Sequence, residues 1–195
     1  SERPIFPILG QISENEEVII PKYLLNQLFN TNKRLVVLQD ICILKFSPIN
    51  HLVMALKIID HGTPEYQKMI KLRDDILRKP LGLGFTSQEL EEEKDNMLIG
   101  AFEDDTILGC CMLVEENPQI VRLRQMAVLN DLQGKGIGRA LMNFAENIAR
   151  DRGYKVLSMH ARKNAIGFYE KMGYKVAGDE FTEVTIPHYV MEKKL

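Results

Sequence analysis

Gln125–Arg152 reads QMAVLNDLQGKGIGRALMNFAENIARDR. The run from Leu123 through Gln125, Met126, Ala127 and Val128 is an apolar, alternating stretch that predicts a buried strand. Asn130 and Asp131 make a short polar turn, and glycines follow at alternate positions, Gly134, Gly136 and Gly138. Beyond them the apolar spacing becomes helical: Ile137, Ala140, Leu141, Phe144, Ala145, Ile148 and Ala149 form one stripe with charged residues opposite. The stretch therefore predicts strand, glycine turn and amphipathic helix. The unpaired N–H groups at such a helix start carry partial positive charge and suit a phosphate or pyrophosphate. Glycine removes the Cβ that would keep an anion away from the backbone. Lys135 and Arg139 add charge on either side.

Two familiar phosphate motifs fail on spacing. A P-loop needs Lys and Ser/Thr after its last glycine, whereas Arg139 and Ala140 follow Gly138. The dinucleotide fingerprint needs a glycine three residues after the second one, where this chain has Arg139. A purely structural loop is also disfavoured, since glycines near a helix start cost up to about 1 kcal/mol each.

What remains is Gln133-x-x-Gly136-x-Gly138 directly after a strand. It resembles the acyl-CoA pyrophosphate loop of the GNAT superfamily of N-acetyltransferases. Downstream, Ala165-Ile166-Gly167-Phe168-Tyr169-Glu170-Lys171-Met172-Gly173-Tyr174 resembles that superfamily's second hallmark, a short helix with a tyrosine followed by Glu-Lys-x-Gly-aromatic. The resemblance runs from about Met54 to Leu195. It implies an α/β (α+β) fold, a mixed and mostly antiparallel sheet flanked by helices.

Composition sets the outer bounds. With 195 residues and a net charge of −2, the chain has no basic footprint for nucleic acid or an anionic membrane. No apolar run approaches the roughly 20 residues that span a bilayer. Cys42, Cys110 and Cys111 lack metal-ligand spacing and read as buried free thiols, which places the chain in the cytoplasm and predicts no metal. No signal-peptide pattern is evident at the start.

Residues 1–53 differ in character from the rest and read as an N-terminal extension, marginal alone. Pro4, Pro7 and Gly10 predict an irregular start, and Pro21 a short helix running to Phe29. Lys33–Leu38 and Ile41–Phe46 predict a small hairpin. The extension reads either as a regulatory or dimerising element or as an appendage, which leaves a homodimer open.

From residue 54 to 195 the chain reads as the chemistry-bearing domain. Ala55–Asp60 predicts a strand, and Thr63-Pro64 caps a helix carrying Tyr66, Met69, Ile70, Leu72, Arg73, Ile76 and Leu77. Lys79–Phe85 is a glycine-punctuated apolar loop; the resemblance makes it a wall of the acceptor site. Thr86-Ser87-Gln88-Glu89 is a capping box for a short acidic helix. Strands are then expected at Met97–Phe102, Thr106–Glu115, Ile120–Val128, Tyr154–His160, Phe181–Ile186 and Tyr189–Lys193, with Pro187-His188 breaking the last pair.

Acetyl transfer from a thioester to an amine requires the thioester to be held, its carbonyl polarised, the amine deprotonated and the thiolate protonated. By resemblance, Met126, Ala127 and Val128 pair with the pantetheine arm, and Gln133, Gly134, Lys135, Gly136, Ile137, Gly138 and Arg139 hold the pyrophosphate, mainly through backbone N–H groups. Tyr169 matches the superfamily tyrosine beside the sulfur; a phenol near its ordinary pKa of about 10 suits a departing thiolate. The family's asparagine falls seven residues before that tyrosine, where this chain has Arg162, so Asn164 is a displaced counterpart or a helix cap. The amine's base is sought among Glu180, Glu183, His160 and His188, with Glu183 and His188 favoured. The string Glu180–His188 resembles the tail of one bacterial GNAT subgroup, and histidine titrates near neutrality. The expected function is N-acetyl transfer from acetyl-CoA to a small amine by direct attack. The alternatives are a CoA-binding sensor whose output is the extension, and an acetyltransferase for protein N-termini or lysines.

Overall fold

The computed structural model describes residues 18–21, 35–38, 41–44 and 54–195. The chain divides into two compact units, Ser1–Leu52 and Val53–Leu195. In the first, β1 (Val18–Pro21), β2 (Leu35–Leu38) and β3 (Ile41–Leu44) form an antiparallel sheet in the order β1-β3-β2. Leu38 pairs with Ile41, so the two β-branched runs form the expected hairpin. Pro21 closes β1 instead of opening a helix; the rest of that expected helix, and the irregular start, lie outside the described residues.

The second unit is built on an eight-stranded sheet. Its elements are β4 (Ala55–Ile59), α1 (Pro64–Arg73), α2 (Ser87–Glu91), β5 (Met97–Glu103), β6 (Thr106–Asn117), β7 (Ile120–Val128), α3 (Ile137–Asp151), β8 (Val156–Arg162), α4 (Ile166–Glu170), β9 (Lys175–Val176), β10 (Phe181–Glu183) and β11 (Ile186–Lys194). The spatial order is β10-β11-β8-β7-β6-β5-β4, with β9 on β11. β7 and β8 run parallel and every other described pair in this sheet is antiparallel. This is the mixed, mostly antiparallel sheet expected, and the element order agrees apart from the added β9.

Each face of the sheet has its own core. α1 covers one face, where Tyr66, Met69 and Leu72 meet Leu98, Phe102 and Met112. α3 and α4 cover the other, where Leu141, Met142 and Ala145 meet Ile99, Leu113, Val121 and Leu157. The caps follow the sequence: the Tyr66 N–H donates to Thr63 Oγ1 at 3.3 Å, and Thr86 and Glu89 form a complete capping box. α1 ends at Arg73, and Ile76 and Leu77 fall in a π-helical turn, Asp74–Arg78.

Two features of the sheet position the site. On β7, Met112 pairs with Arg124 but Cys110 pairs with Ala127, so Gln125 and Met126 together oppose Cys111. Gln125 sits at φ 50°, the left-handed region. β7 and β8 are paired only where Ile120–Leu123 meets Val156–Met159. Beyond that point the strands part.

The C-terminal pair departs from expectation. The break is at Val184-Thr185, with φ 48° and 64°, closing a hairpin in which Glu183 pairs with Ile186. Pro187 and His188 therefore lie inside β11. A two-residue turn of this kind is normally signalled by Asn-Gly, and two β-branched residues conceal it. Pro187 is tolerated because pairing with β8 begins one residue later, at His188 with Arg162. β8 likewise runs from Val156 to Arg162, later than the expected Tyr154–His160.

Candidate active site

Where β7 and β8 separate, a cleft of about 1030 Å³ opens across the end of the sheet. Backbone groups of Met126–Val128 on the β8 side have no strand partner there, so this edge can accept an extended ligand as an added strand.

The bulge that opens the cleft is held by buried charge. Arg73 is fully buried and bonds Glu93 in a two-pronged pair, Nη1 to Oε1 at 2.7 Å and Nη2 to Oε2 at 2.8 Å. The Tyr66 hydroxyl donates to the same carboxylate at 2.7 Å. Arg73 Nη1 also donates to Gln125 Oε1 at 2.9 Å. The guanidinium thus ties the end of α1 and the segment before β5 to the left-handed residue of β7.

Just beyond the C-terminal end of β7 lies the glycine loop. Gly134 and Gly136 adopt φ +79° and +89°, and a Cβ at either would meet no atom within 4 Å. Glycine is needed there for its conformation, and the space a side chain would fill is open to a ligand. Gly136 caps α3 without any side-chain bond, so the N–H groups of Ile137, Gly138 and Arg139 face outward unpaired by the helix. Gln133 is exposed and lines the cleft, its Nε2 donating to Asn130 Oδ1 at 3.1 Å. Ile137 buries its side chain in the core, leaving only its backbone for a ligand, and Lys135 lies outside the cleft lining. Arg139 and Gly138 line the cleft.

Tyr169 lies on α4 with 8 % of its surface exposed, and its hydroxyl is 3.5 Å from the sulfur of Met126. A thioether is a weak acceptor, so this donor is poised rather than satisfied. Burial pushes the phenol up to about 12, the nearby cysteine adding to the rise and Arg162 opposing it. The ordinary value expected from sequence is thereby corrected, and the phenol stays protonated at physiological pH. Asn164 and Arg162 both line the cleft near it.

On the α1 face, the β10–β11 hairpin brings the candidate bases together. His160 Nδ1 lies 2.7 Å from Glu183 Oε2. Because a carboxylate only accepts, Nδ1 is the donor in this bond, and in the neutral imidazole Nε2 is then the acceptor. Phe181 packs edge-on against His160 at 4.8 Å and stacks on His188 at 6.0 Å. His188 donates Nδ1–H to the Ile186 carbonyl at 2.8 Å and is buried. Glu180 is turned away, bonded to Lys163 and Tyr189.

The opposite wall is formed by Ile76, Leu77, Arg78, Leu81, Leu83 and Glu89. Phe85 sits between the guanidiniums of Arg73 and Arg78, at 5.0 and 4.6 Å, anchoring this loop to α1. Cys110 and Cys111 are fully buried; burial pushes the first thiol up to about 12 and the second higher still. Neither can serve as a covalent acyl carrier. Among the described residues no cluster of ligating side chains could hold a metal ion, and no helix is long and apolar enough to cross a membrane.

Three functional residues escape sequence reasoning. Arg73 reads only as one member of the packing face of its helix, Glu93 goes unnoticed within a short acidic helix, and Gln125 reads as an ordinary strand position. The one available signal was Arg73 falling on the apolar face of α1.

Residues 84–195 match the family described as an acetyltransferase (GNAT) domain. A Bacillus subtilis protein whose name describes an acetyltransferase is 33% identical over 73 residues, 37% of this chain and 50% of that one. The chain thus spans about half the length of the curated relatives it matches. An N-acetyltransferase structure from Lactobacillus plantarum superposes with a TM-score of 0.63 at 23% identity, covering 72% of this chain and 99% of the other. A GNAT family acetyltransferase from Elizabethkingia anophelis with acetyl-CoA bound gives 0.57 at 18% identity, covering 73% and 98%. With the family match extending over more than half of its residues, the chain belongs to the GNAT acetyltransferase family.

Proposed function

We propose that this protein is an N-acetyltransferase that moves the acetyl group of acetyl-CoA to a primary amine of a small molecule by direct attack. The observation that carries this reading is the parting of β7 from β8 at the Gln125 bulge, with the glycine loop at one end and the Tyr169 hydroxyl inside it. Bound acetyl-CoA would supply an activated thioester carbonyl and a sulfur able to leave.

This chain's residues fit the remaining tasks. The free edge of Met126–Val128 would align the pantetheine arm, and its N–H groups would stabilise charge on the carbonyl oxygen. Gly134, Gly136 and the first turn of α3 would hold the pyrophosphate, with Arg139 beside it. His160, oriented by Glu183, would take the proton from the attacking amine on Nε2. Tyr169 would give its proton to the departing sulfur and recover one from solvent. His188 would fix Phe181 and the hairpin rather than act on the amine.

The free state of the two described cysteines supports a cytoplasmic setting. Residues 1–53 are proposed as a separate N-terminal extension beside the 54–195 domain, with dimerisation one of its roles to test. Thiol release with an amine panel tests the function. Turnover that is lost in Tyr169→Phe while acetyl-CoA binding persists supports the enzyme. Binding without turnover on any amine would instead support a CoA-responsive sensor.

A further inference from the structure

Resting on the transferase reading, the charges of the acceptor side narrow the substrate class. Arg122 and Arg124 stand two residues apart on β7, before the bulge, and so share a face, while Val121 and Leu123 are buried on the other. Both arginines line the cleft, as does Arg162. Glu116 pairs with Arg122, whereas Arg124 and Arg162 form no ion pair among the described residues. Glu183, the carboxylate on the other side, accepts the His160 Nδ1–H and keeps its charge, so two carboxylates face the three guanidiniums. Burial pulls Arg122 below its ordinary value, the charge of Arg124 adding to that effect and that of Glu183 opposing it. Guanidinium charge in this corner therefore exceeds its counter-charge.

These arginines are not placed for the pyrophosphate. Arg124 lies four residues before Val128, on the other side of the bulge, and the glycine loop begins beyond Val128. Leu123 pairs with Met159, so the next step along each strand sets Arg124 level with His160 where the strands part. An acceptor that was only a cation would be repelled here. One carrying an oxyanion a few bonds from its amine would neutralise the surplus and present nitrogen toward His160.

We propose that the acceptor is a small amine that also bears a carboxylate or phosphate, with the level placement of Arg124 and His160 across the opening selecting for both groups at once. The oxyanion takes the guanidinium of Arg124, with Arg122 alongside, and the amine takes Nε2 of His160.

The test uses the full chain with acetyl-CoA and matched acceptors: amino acids against their primary amides, and phosphoethanolamine against ethanolamine. The charged member of a pair is expected to have a kcat/KM about tenfold or more above its neutral partner, mostly through KM. Which pair shows the larger ratio identifies carboxylate or phosphate. Arg124→Gln is expected to collapse that ratio to about twofold or less, Arg124→Lys to keep part of it, and calorimetry to show acetyl-CoA affinity unchanged in both. Acetylation of amines with equal efficiency for charged and neutral partners would overturn the proposal and leave the transferase reading intact. Acetyl-CoA binding with acetylation of no amine would overturn the transferase reading, and this proposal with it.

Discussion

Nδ1 of His160 on β8 lies 2.7 Å from a carboxylate oxygen of Glu183 on β10, two strands away across the sheet. β11 lies between these strands, and the tight turn at Val184-Thr185 folds β10 back so that the carboxylate reaches the ring. The pair fixes the imidazole tautomer. His160→Gln is therefore expected to lower kcat by roughly 10²- to 10⁴-fold, the usual worth of a positioned base. Glu183→Gln keeps an acceptor for Nδ1–H and should cost less. Steady-state kinetics on both variants decide the order; a larger loss for Glu183→Gln would make the carboxylate itself the base.

Tyr169 gives a pH prediction. Burial raises its pKa to about 12, so the phenol remains a proton donor through about pH 10. The kcat profile should then show no falling limb from phenol ionisation in that range. Tyr169→Phe should reduce kcat far more than the affinity for acetyl-CoA. A falling limb near pH 9 that disappears in Tyr169→Phe would contradict the buried-donor role.

Arg73 offers a test of stability and cofactor binding together. Arg73→Met leaves the buried Glu93 carboxylate without its partner and should destabilise the fold by about 3–5 kcal/mol in urea unfolding. Arg73→Met with Glu93→Leu should recover much of that loss, since an apolar pair of similar volume replaces the ions. Because Gln125 loses its donor in both, acetyl-CoA binding should weaken even in the recovered double variant. Full affinity in that variant would show that the bulge holds itself.

Glu146 governs acid stability. Burial opposes its ionisation, but Lys193, Arg150 and the Tyr174 hydroxyl bond it and hold the carboxyl below its ordinary 4.5. A carboxyl whose folded pKa is depressed stabilises fully above the unfolded value and loses that contribution as pH falls through the folded one. Thermal melting should therefore drop below about pH 4.5, and Glu146→Gln should be less stable at neutrality with a flatter acid limb. An unchanged acid limb in Glu146→Gln would reject the assignment.

Local pattern carried most of the fold into the sequence. The α3 stripe, the Thr63-Pro64 start and the capping box at Thr86 each act over a few residues, and α1, α2 and α3 start where those signals stand. The glycine loop was legible because Gly134 and Gly136 meet a backbone requirement that few other residues can. What escaped was long-range or unconventional. The Gln125 bulge depends on Arg73, 52 positions away in sequence. The Val184-Thr185 turn uses residues that normally extend a strand. The His160–Glu183 contact depends on that turn, so both residues stood among the candidates without any sign that they act as a pair.

The most direct test of the account is calorimetric titration of the protein with acetyl-CoA, beside a Gly136→Glu variant shown by thermal melting to be folded. Gly136 holds φ +89° at the cap of α3, with open space where a side chain would stand. A glutamate there would fill that space and set a negative charge against the pyrophosphate. The account predicts micromolar binding to the unaltered chain and none to the folded variant. Undiminished binding to the variant, or no binding to the unaltered chain, would contradict it.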